Sequence, residues 1–115
     1  MDHKELDVWK ESMLLSEEIY KLTKQFPDDE KFGLVNQMRR SVISIPINIS
    51  EGLARKTKKE NLHFLNISIG SISELETQLI LSQRLGYCNI DNVMERLIKV
   101  RSLLLGLRNY ITKNL

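Results

Sequence analysis

Apolar side chains recur at helical spacing in the stretch that precedes the first proline. Four of them lie three, four or seven residues apart: Leu6, Trp9, Met13 and Tyr20. This spacing places them on one face of an amphipathic helix. Because Pro27 disfavours helical geometry at the residue before it, the helix is expected to end there. We therefore predict a first helix near residues 1–26.

The acidic residues after Pro27 predict the start of a second helix. Asp28 is placed to accept hydrogen bonds from the first free amides of that helix, as a capping residue does. Asp29 and Glu30 would then lie in its first turn, where the helix dipole favours negative charge. The pattern predicts a second helix near residues 28–56.

The sequence TKKE, from Thr57 to Glu60, matches a capping box that begins a third helix. In that motif the Thr57 side chain accepts a hydrogen bond from the amide of Glu60, and the Glu60 carboxylate reaches back. Gly86 is suited to close the helix, because glycine readily adopts the left-handed conformation. We predict this helix near residues 58–86.

Apolar residues in the last part of the chain form one continuous seam with alternating spacings of three and four. They are Ile90, Val93, Leu97, Val100, Leu104, Leu107 and Ile111. Such a seam is typical of a helix that packs in a bundle. Asn89 is placed to cap this helix, which we predict near residues 90–112.

The segment SVISIPINISEG, residues 41–52, is compatible with two different structures. Isoleucines at every second position alternate with polar residues, which is the pattern of a half-buried strand. Pro46 disfavours a central strand, where it would remove a ladder hydrogen bond, and it also costs about 3 kcal/mol inside a helix. The proline therefore discriminates only weakly between strand and helix.

A stripe of polar residues decides between the two structures. At about 100° per residue, six polar side chains fall on one side of a helix, and we call them the polar stripe: Gln37, Ser41, Ser44, Asn48, Glu51 and Arg55. Apolar residues from Val35 to Leu53 occupy the opposite arc. We therefore predict a helix that is kinked at Pro46. Four helices with short connections predict an all-α fold, an antiparallel up-down-up-down four-helix bundle in a single domain, residues 1–115.

The polar stripe has three interpretations. It faces solvent, it contacts another subunit, or it interlocks with a similar line on the third helix, formed by Ser71, Glu74 and Gln78. Arg39 raises the same question, because it projects near the apolar arc, where an unpaired charge is costly. We predict that Arg39 has a carboxylate partner or lies at an oligomer contact.

Charge is distributed unevenly along the chain. Residues 1–30 contain four Lys and nine acidic residues, a net charge of −5, whereas residues 31–60 contain seven basic and two acidic residues, a net charge of +5. The basic group comprises Arg40, Arg55, Lys56, Lys58 and Lys59. These cations are candidates for binding the phosphates of RNA or DNA, although lysines near a helix C-terminus also stabilise its dipole. No aromatic residues interleave with them to stack on bases.

Residues that commonly carry catalysis are sparse. Glu60 and His63 form only half of a di-metal carboxylate signature, and Cys88 has no basic neighbour in sequence to activate it. We therefore predict no catalytic residues, no metal site and no cofactor, and hence a non-enzymatic protein. The single cysteine, the charged N-terminal stretch and the lack of a long apolar run predict a cytoplasmic protein that does not cross a membrane.

Several stretches, read in order, carry a resemblance to a known family. They are FPDDEKFGLVNQMRRSVISIPINISEGLARKTKKE, FLNISIGSISELETQL and LGY. Together they resemble the four-helix-bundle proteins encoded in intervening sequences of bacterial 23S rRNA genes. The resemblance extends from about Leu6 to Tyr110. It departs mildly at Ser50, where the family commonly has Ala, and at Ile69, where the family often has a smaller residue.

The resemblance implies a ring-like homopentamer in which the segment around Pro46 is helical. The family is also similar to the accessory protein of diversity-generating retroelements, a basic pentamer that works with a reverse transcriptase and nucleic acid. Our leading hypothesis is a non-enzymatic homo-oligomer that binds the nucleic-acid backbone. The alternative is an oligomeric scaffold for a protein partner, without direct nucleic-acid contact.

Overall fold

Four α-helices make up most of the computed structural model, which describes residues 2–114. They are α1 (Asp7–Thr23), α2 (Leu34–Ala54), α3 (Lys58–Arg84) and α4 (Asp91–Asn114). Short 3-10 turns, His3–Glu5 and Asp28–Glu30, precede α1 and α2, and no strand occurs in residues 2–114. The predicted all-α fold is confirmed. Met1 and Leu115, the ends of the predicted domain, lie outside the described residues.

The helices pack side by side in a closed cycle. Both α1 and α3 contact α2 and α4, so that every helix has two neighbours, as in a four-helix bundle. Large apolar side chains from all four helices fill the interior; among those fully buried are Leu15, Ile45, Leu75 and Leu104. No helix in the described part of the chain is long and apolar enough to cross a membrane.

The segment that was compatible with two structures lies inside α2 as a continuous helix. Ile45 and Ile49 are fully buried, whereas Ile43 and Ile47, which a strand would have placed on the same face, are exposed. The helical interpretation is therefore confirmed. The kink at Pro46 and the complete up-down-up-down topology stay predictions.

The start of α2 differs from the prediction. Asp28 lies in a 3-10 turn, and α2 begins only at Leu34. Gly33 explains the later start, because its φ of −110° and ψ of −109° are not helical. Glu30 Oε1 accepts a hydrogen bond from the Leu34 amide at 3.3 Å. The predicted Asp28 cap of the second helix is therefore wrong, and Glu30 supplies the acceptor.

At the other two connections, between α2 and α3 and between α3 and α4, side chains or a glycine stabilise the helix ends largely as predicted. Thr57 Oγ1 accepts a hydrogen bond from the Glu60 amide at 3.2 Å, and the Glu60 carboxylate accepts from the Thr57 hydroxyl at 2.9 Å, not from the Thr57 amide. Gly86 has a φ of +80°, the left-handed conformation that closes α3. Asn89 Oδ1 accepts from the Asp91 amide at 2.9 Å, at the start of α4.

Candidate functional site

Four basic residues surround the short connection between α2 and α3. We call them the basic turn: Arg55, Lys56, Lys58 and Lys59. All four side chains are exposed. Because α2 ends at Ala54 and α3 begins at Lys58, their charges are concentrated at one end of the bundle. Closely spaced cations on a surface favour an anionic ligand.

Asn61 on α3 fixes the path of the basic turn. Its Nδ2 donates to the carbonyl oxygens of Gly52 and Arg55, the latter at 3.0 Å. Gly52 permits close approach of α2 and α3, because a Cβ at that position would lie 3.1 Å from the Cβ of Phe64. The backbone of the turn is thus held in place without using its charged side chains.

Two of the four cations have partners within the chain. Arg55 forms an ion pair with Glu51 at 3.0 Å, with both side chains almost half exposed, and its guanidinium lies 4.9 Å from the centre of the Phe64 ring. Lys58 Nζ donates to the Thr112 carbonyl at 3.0 Å. Lys58 therefore interacts with the C-terminal turn of α4, where a cation also complements the helix dipole.

Lys56 and Lys59 have no ion-pair partner among residues 2–114. Both are exposed, so their ammonium groups remain solvated and available to a ligand. The alternative explanation of the basic group, stabilisation of a helix C-terminus, applies to Lys58 at the end of α4. It applies also to Lys56, which follows Ala54, the last residue of α2, by two positions. It leaves the charge of Lys59, in the first turn of α3, unexplained.

A cavity of about 350 Å³ opens beside the basic turn. Its lining residues come from α2, the turn, α3 and α4: Leu53, Arg55, Lys56, Lys58, Asn61, Leu107, Tyr110 and Ile111. Tyr110 is 52% exposed. The sequence pattern missed this aromatic neighbour, because Tyr110 lies far from the basic turn in sequence and reaches it only through the packing of α4. The apolar seam around Leu107 and Ile111 was the available signal.

Arg40 lies apart from the other predicted nucleic-acid-binding residues. It lies on α2, fourteen residues before the last residue of that helix, Ala54, which is about 21 Å along the axis at 1.5 Å per residue. Arg40 lines a different cavity, with Phe32, Gln37, Glu74 and neighbouring polar residues. The structure therefore separates one of the five predicted cations from the basic turn.

The middle of the polar stripe lies against α3. The Ser44 and Ser71 hydroxyl oxygens are 2.9 Å apart, and Ser41 donates to the Glu74 carboxylate. Asn48 Nδ2 donates to Ser44 Oγ at 3.0 Å. Ser41 precedes Ser44 on α2, whereas its partner Glu74 follows Ser71 on α3. These two contacts therefore run in opposite directions along the two helices. The ends of the stripe, Gln37, Glu51 and Arg55, are exposed, and a subunit contact by the stripe stays a prediction.

Arg39 has partners of a different kind from the one predicted. Its Nε donates to Thr23 Oγ1 at 3.0 Å and its Nη2 to the Tyr20 carbonyl at 3.2 Å. The guanidinium also lies 4.6 Å from the centre of the Tyr20 ring. No carboxylate of the described residues pairs with Arg39. The predicted carboxylate partner is wrong, because Arg39 points to α1, where a hydroxyl, a carbonyl and a ring replace it; the oligomer contact stays a prediction.

Glu60 and His63, which form half of a di-metal signature, are not joined by further metal-binding side chains in the described residues. Glu60 bonds to Thr57, and the His63 ring lies edge-on to Phe64 with their centres 5.1 Å apart. Within residues 2–114, no three His, Cys, Asp or Glu side chains are grouped to hold a metal ion. Burial raises the pKa of the Cys88 thiol, which disfavours the reactive thiolate.

The fold and the basic turn define an all-α, four-helix-bundle protein with a cationic end. Residues 4–106 match the family described as 23S rRNA-intervening sequence protein, and the chain belongs to this family. The resemblance recognised in the sequence is thereby confirmed.

The fold is similar to that of solved structures. One of them is a crystal structure of a protein of unknown function from the S23 ribosomal protein family of Bacteroides thetaiotaomicron. The two sequences are 24% identical, the match covers 89% of this chain and 95% of the other, and the TM-score is 0.81. At this level of identity the likeness establishes the fold alone. No curated protein matched the chain.

Proposed function

We propose that this protein is a non-enzymatic, cytoplasmic homo-oligomer that binds the phosphate backbone of RNA or DNA. The basic turn provides the main contact, and Arg40 provides a separate one. The observation that carries the proposal is the pair Lys56 and Lys59, which are exposed on a fixed turn and have no ion-pair partner among the described residues.

Phosphate binding by these residues is driven mainly by the release of counterions from the nucleic acid. Each neutralised phosphate of duplex DNA contributes about −0.9 to the slope of log K against log salt concentration. This contribution does not depend on base sequence. A bundle end with four cations is therefore suited to follow a backbone, and we assign no base-specific contact to the basic turn.

Oligomerisation increases the affinity that a small basic surface provides for nucleic acid. A homopentamer, which the family resemblance implied, presents five basic turns on one particle, and contacts made after the first are intramolecular. Mass measurement in solution tests this part of the proposal. A pentameric mass supports it, whereas a monomeric mass that persists at high protein concentration contradicts it.

Filter binding of a short DNA duplex over a salt series tests the backbone contact itself. A site that uses about four phosphates gives a slope near −3.6. Absent binding, or binding that does not change with salt, contradicts the proposal.

A second candidate function is an oligomeric scaffold for a protein partner. The favouring observation is Phe32, which is 87% exposed although it is a large apolar residue. Exposed aromatic residues are frequent anchors of protein interfaces. A single protein that co-purifies after nuclease treatment, and that Phe32→Ala releases, supports this second function over the first.

A further inference from the structure

The cavity beside the basic turn combines three kinds of surface. Cationic side chains of Arg55, Lys56 and Lys58 lie at its rim. Leu53, Leu107 and Ile111 add apolar surface, and the exposed ring of Tyr110 completes the lining. No acidic side chain of the described residues lines this cavity. This lining suits a ligand that combines negative charge with a flat apolar part.

We propose that this cavity binds one unpaired base of single-stranded RNA or DNA, with the base stacked on Tyr110 and the adjacent phosphates on the basic turn. This inference rests on the proposed function and specifies its ligand. A nucleotide within a single strand has the required combination, because its base has apolar faces and its phosphate carries negative charge. A base within a duplex has both faces covered by its neighbours and is not available for stacking on protein.

The size of the cavity agrees with a ligand of this kind. Its volume of about 350 Å³ lies near the lower end of the range of small-molecule sites, about 300 to 1,000 Å³. It therefore suits a single base and not a folded nucleic-acid element. Aromatic side chains beside cations are the usual means by which proteins hold single strands without reading their sequence.

Different lining residues carry the two roles of the site, phosphate binding and base stacking. Lys56 has no ion-pair partner among the described residues and is available to a phosphate, whereas Lys58 is bonded to the Thr112 carbonyl. Asn61 is bonded to the turn backbone, so it holds the wall in position. Tyr110 is the lining residue that offers an aromatic face, and its loss removes stacking without changing charge.

Fluorescence anisotropy with a labelled oligonucleotide, as a single strand and as a duplex, tests the inference. We expect the single strand to bind more tightly than the duplex at the same salt concentration. Tyr110→Ala is expected to weaken single-strand binding about 5- to 100-fold, and Tyr110→Phe to retain it. Duplex binding should be unaffected by Tyr110→Ala. Leu85→Ala, which removes an exposed apolar side chain just after the end of α3 opposite the basic turn, is the control that changes neither.

A second measurement uses the unmodified protein and does not depend on a variant that folds. An oligonucleotide that contains the fluorescent base 2-aminopurine should lose emission on binding, because stacking on an aromatic ring quenches it. A mononucleotide phosphate and inorganic phosphate, added as competitors, distinguish a strand from a free anion. Displacement by inorganic phosphate as effective as by the mononucleotide overturns the inference.

Failure of the inference and failure of the proposed function give different results. Equal binding of single strand and duplex, unchanged in Tyr110→Ala, overturns the base site and leaves backbone binding intact. Absence of salt-dependent binding to any nucleic acid overturns both.

Discussion

The hydroxyl of Ser16 on α1 lies 3.4 Å from the carbonyl oxygen of Val42 on α2, the acceptor that Pro46 leaves without a helical donor. The same hydroxyl also donates to the Ser12 carbonyl, at 2.9 Å, so that its hydrogen is divided between two acceptors. On the other side of α2, Ser68 of α3 donates to the carbonyl of Ile45 at 2.9 Å. The Ser16 hydroxyl therefore offers the Val42 carbonyl a donor in place of the one that Pro46 lacks, which helps α2 to tolerate the proline in a buried position. The bond from Ser68 adds a contact between α2 and α3 beside the proline.

Replacement of Ser16 tests this compensation. We expect Ser16→Ala to lower the free energy of unfolding by about 1 kcal/mol, because the buried Val42 carbonyl loses its donor. In a Pro46→Ala background the loss should be smaller, since the new amide at residue 46 supplies the bond. Urea unfolding of the four proteins measures both values.

Ser50→Ala is the matched control for this cycle, because Ser50 donates to the Ile47 carbonyl within its own helix. Its effect should be the same with and without Pro46. If Ser16→Ala costs equally in both backgrounds, the Ser16 hydroxyl does not compensate for the proline.

An ion-pair network joins α1 and α4. Arg96 donates to the Glu11 carboxylate at 2.9 Å and to the Glu18 carboxylate; the hydrogen bond to Glu18 is the main cause that raises the pKa of Arg96. We expect Arg96→Gln to lower the free energy of unfolding by up to about 1 kcal/mol at low salt, and by less at high salt. Arg84→Gln, an exposed position near the end of α3, is the control. A loss that does not depend on salt contradicts an electrostatic role.

The hydroxyl of Tyr87 donates to Glu30 Oε2 at 2.9 Å, and this hydrogen bond raises the pKa of Tyr87 above its ordinary value of 10.0. The folded protein therefore holds the phenol proton more strongly than the unfolded chain does. The stabilisation is complete below about pH 10 and is lost as pH rises through the higher pKa of the folded state.

We expect the thermal midpoint to fall less steeply in Tyr87→Phe than in the unmodified protein above about pH 10. Glu30→Gln should lower the pKa of Tyr87, measured by ultraviolet titration of the phenol, because it removes the negative acceptor. The same alkaline decline in all three proteins is the result that rules out this linkage.

Burial raises the pKa of the Cys88 thiol, and thiolate is the reactive form. We therefore expect Cys88 to react with a disulfide reagent at neutral pH more slowly in the folded protein than in denaturant. Reaction rates measured by release of the chromophoric leaving group check this. An equal rate in both conditions contradicts a protected thiol.

The helical structure of α2 was predictable because the spacing of its polar residues agreed with the period of a helix and not with that of a strand. The isoleucines fitted a strand, but Ser41, Ser44 and Asn48 fell on one side only in a helix. The structure places Ser41 and Ser44 against α3, and Asn48 donates to Ser44 within α2. Local spacing was sufficient here, since helix period is a property of neighbouring residues.

The features that sequence reasoning missed depend on tertiary structure. Asp28 looked like a helix cap, but the conformation of Gly33 delays the helix and Glu30 provides the acceptor. For Arg39 we predicted a carboxylate partner or an oligomer contact, and its observed partners are Thr23 and Tyr20 of α1. In each case the partner lies on another element, or the backbone departs from the regular path, and neither is encoded in periodic spacing.

The salt dependence of nucleic-acid binding in two matched double variants tests the central claim most directly. Lys56→Gln/Lys59→Gln removes the two basic-turn cations that lack ion-pair partners among residues 2–114. Lys21→Gln/Lys24→Gln makes the same change in net charge near the end of α1. We expect the first pair to make the slope of log K against log salt shallower by about 1.8 on duplex DNA, and the second pair to leave it unchanged. Identical slopes for both double variants contradict binding through the basic turn.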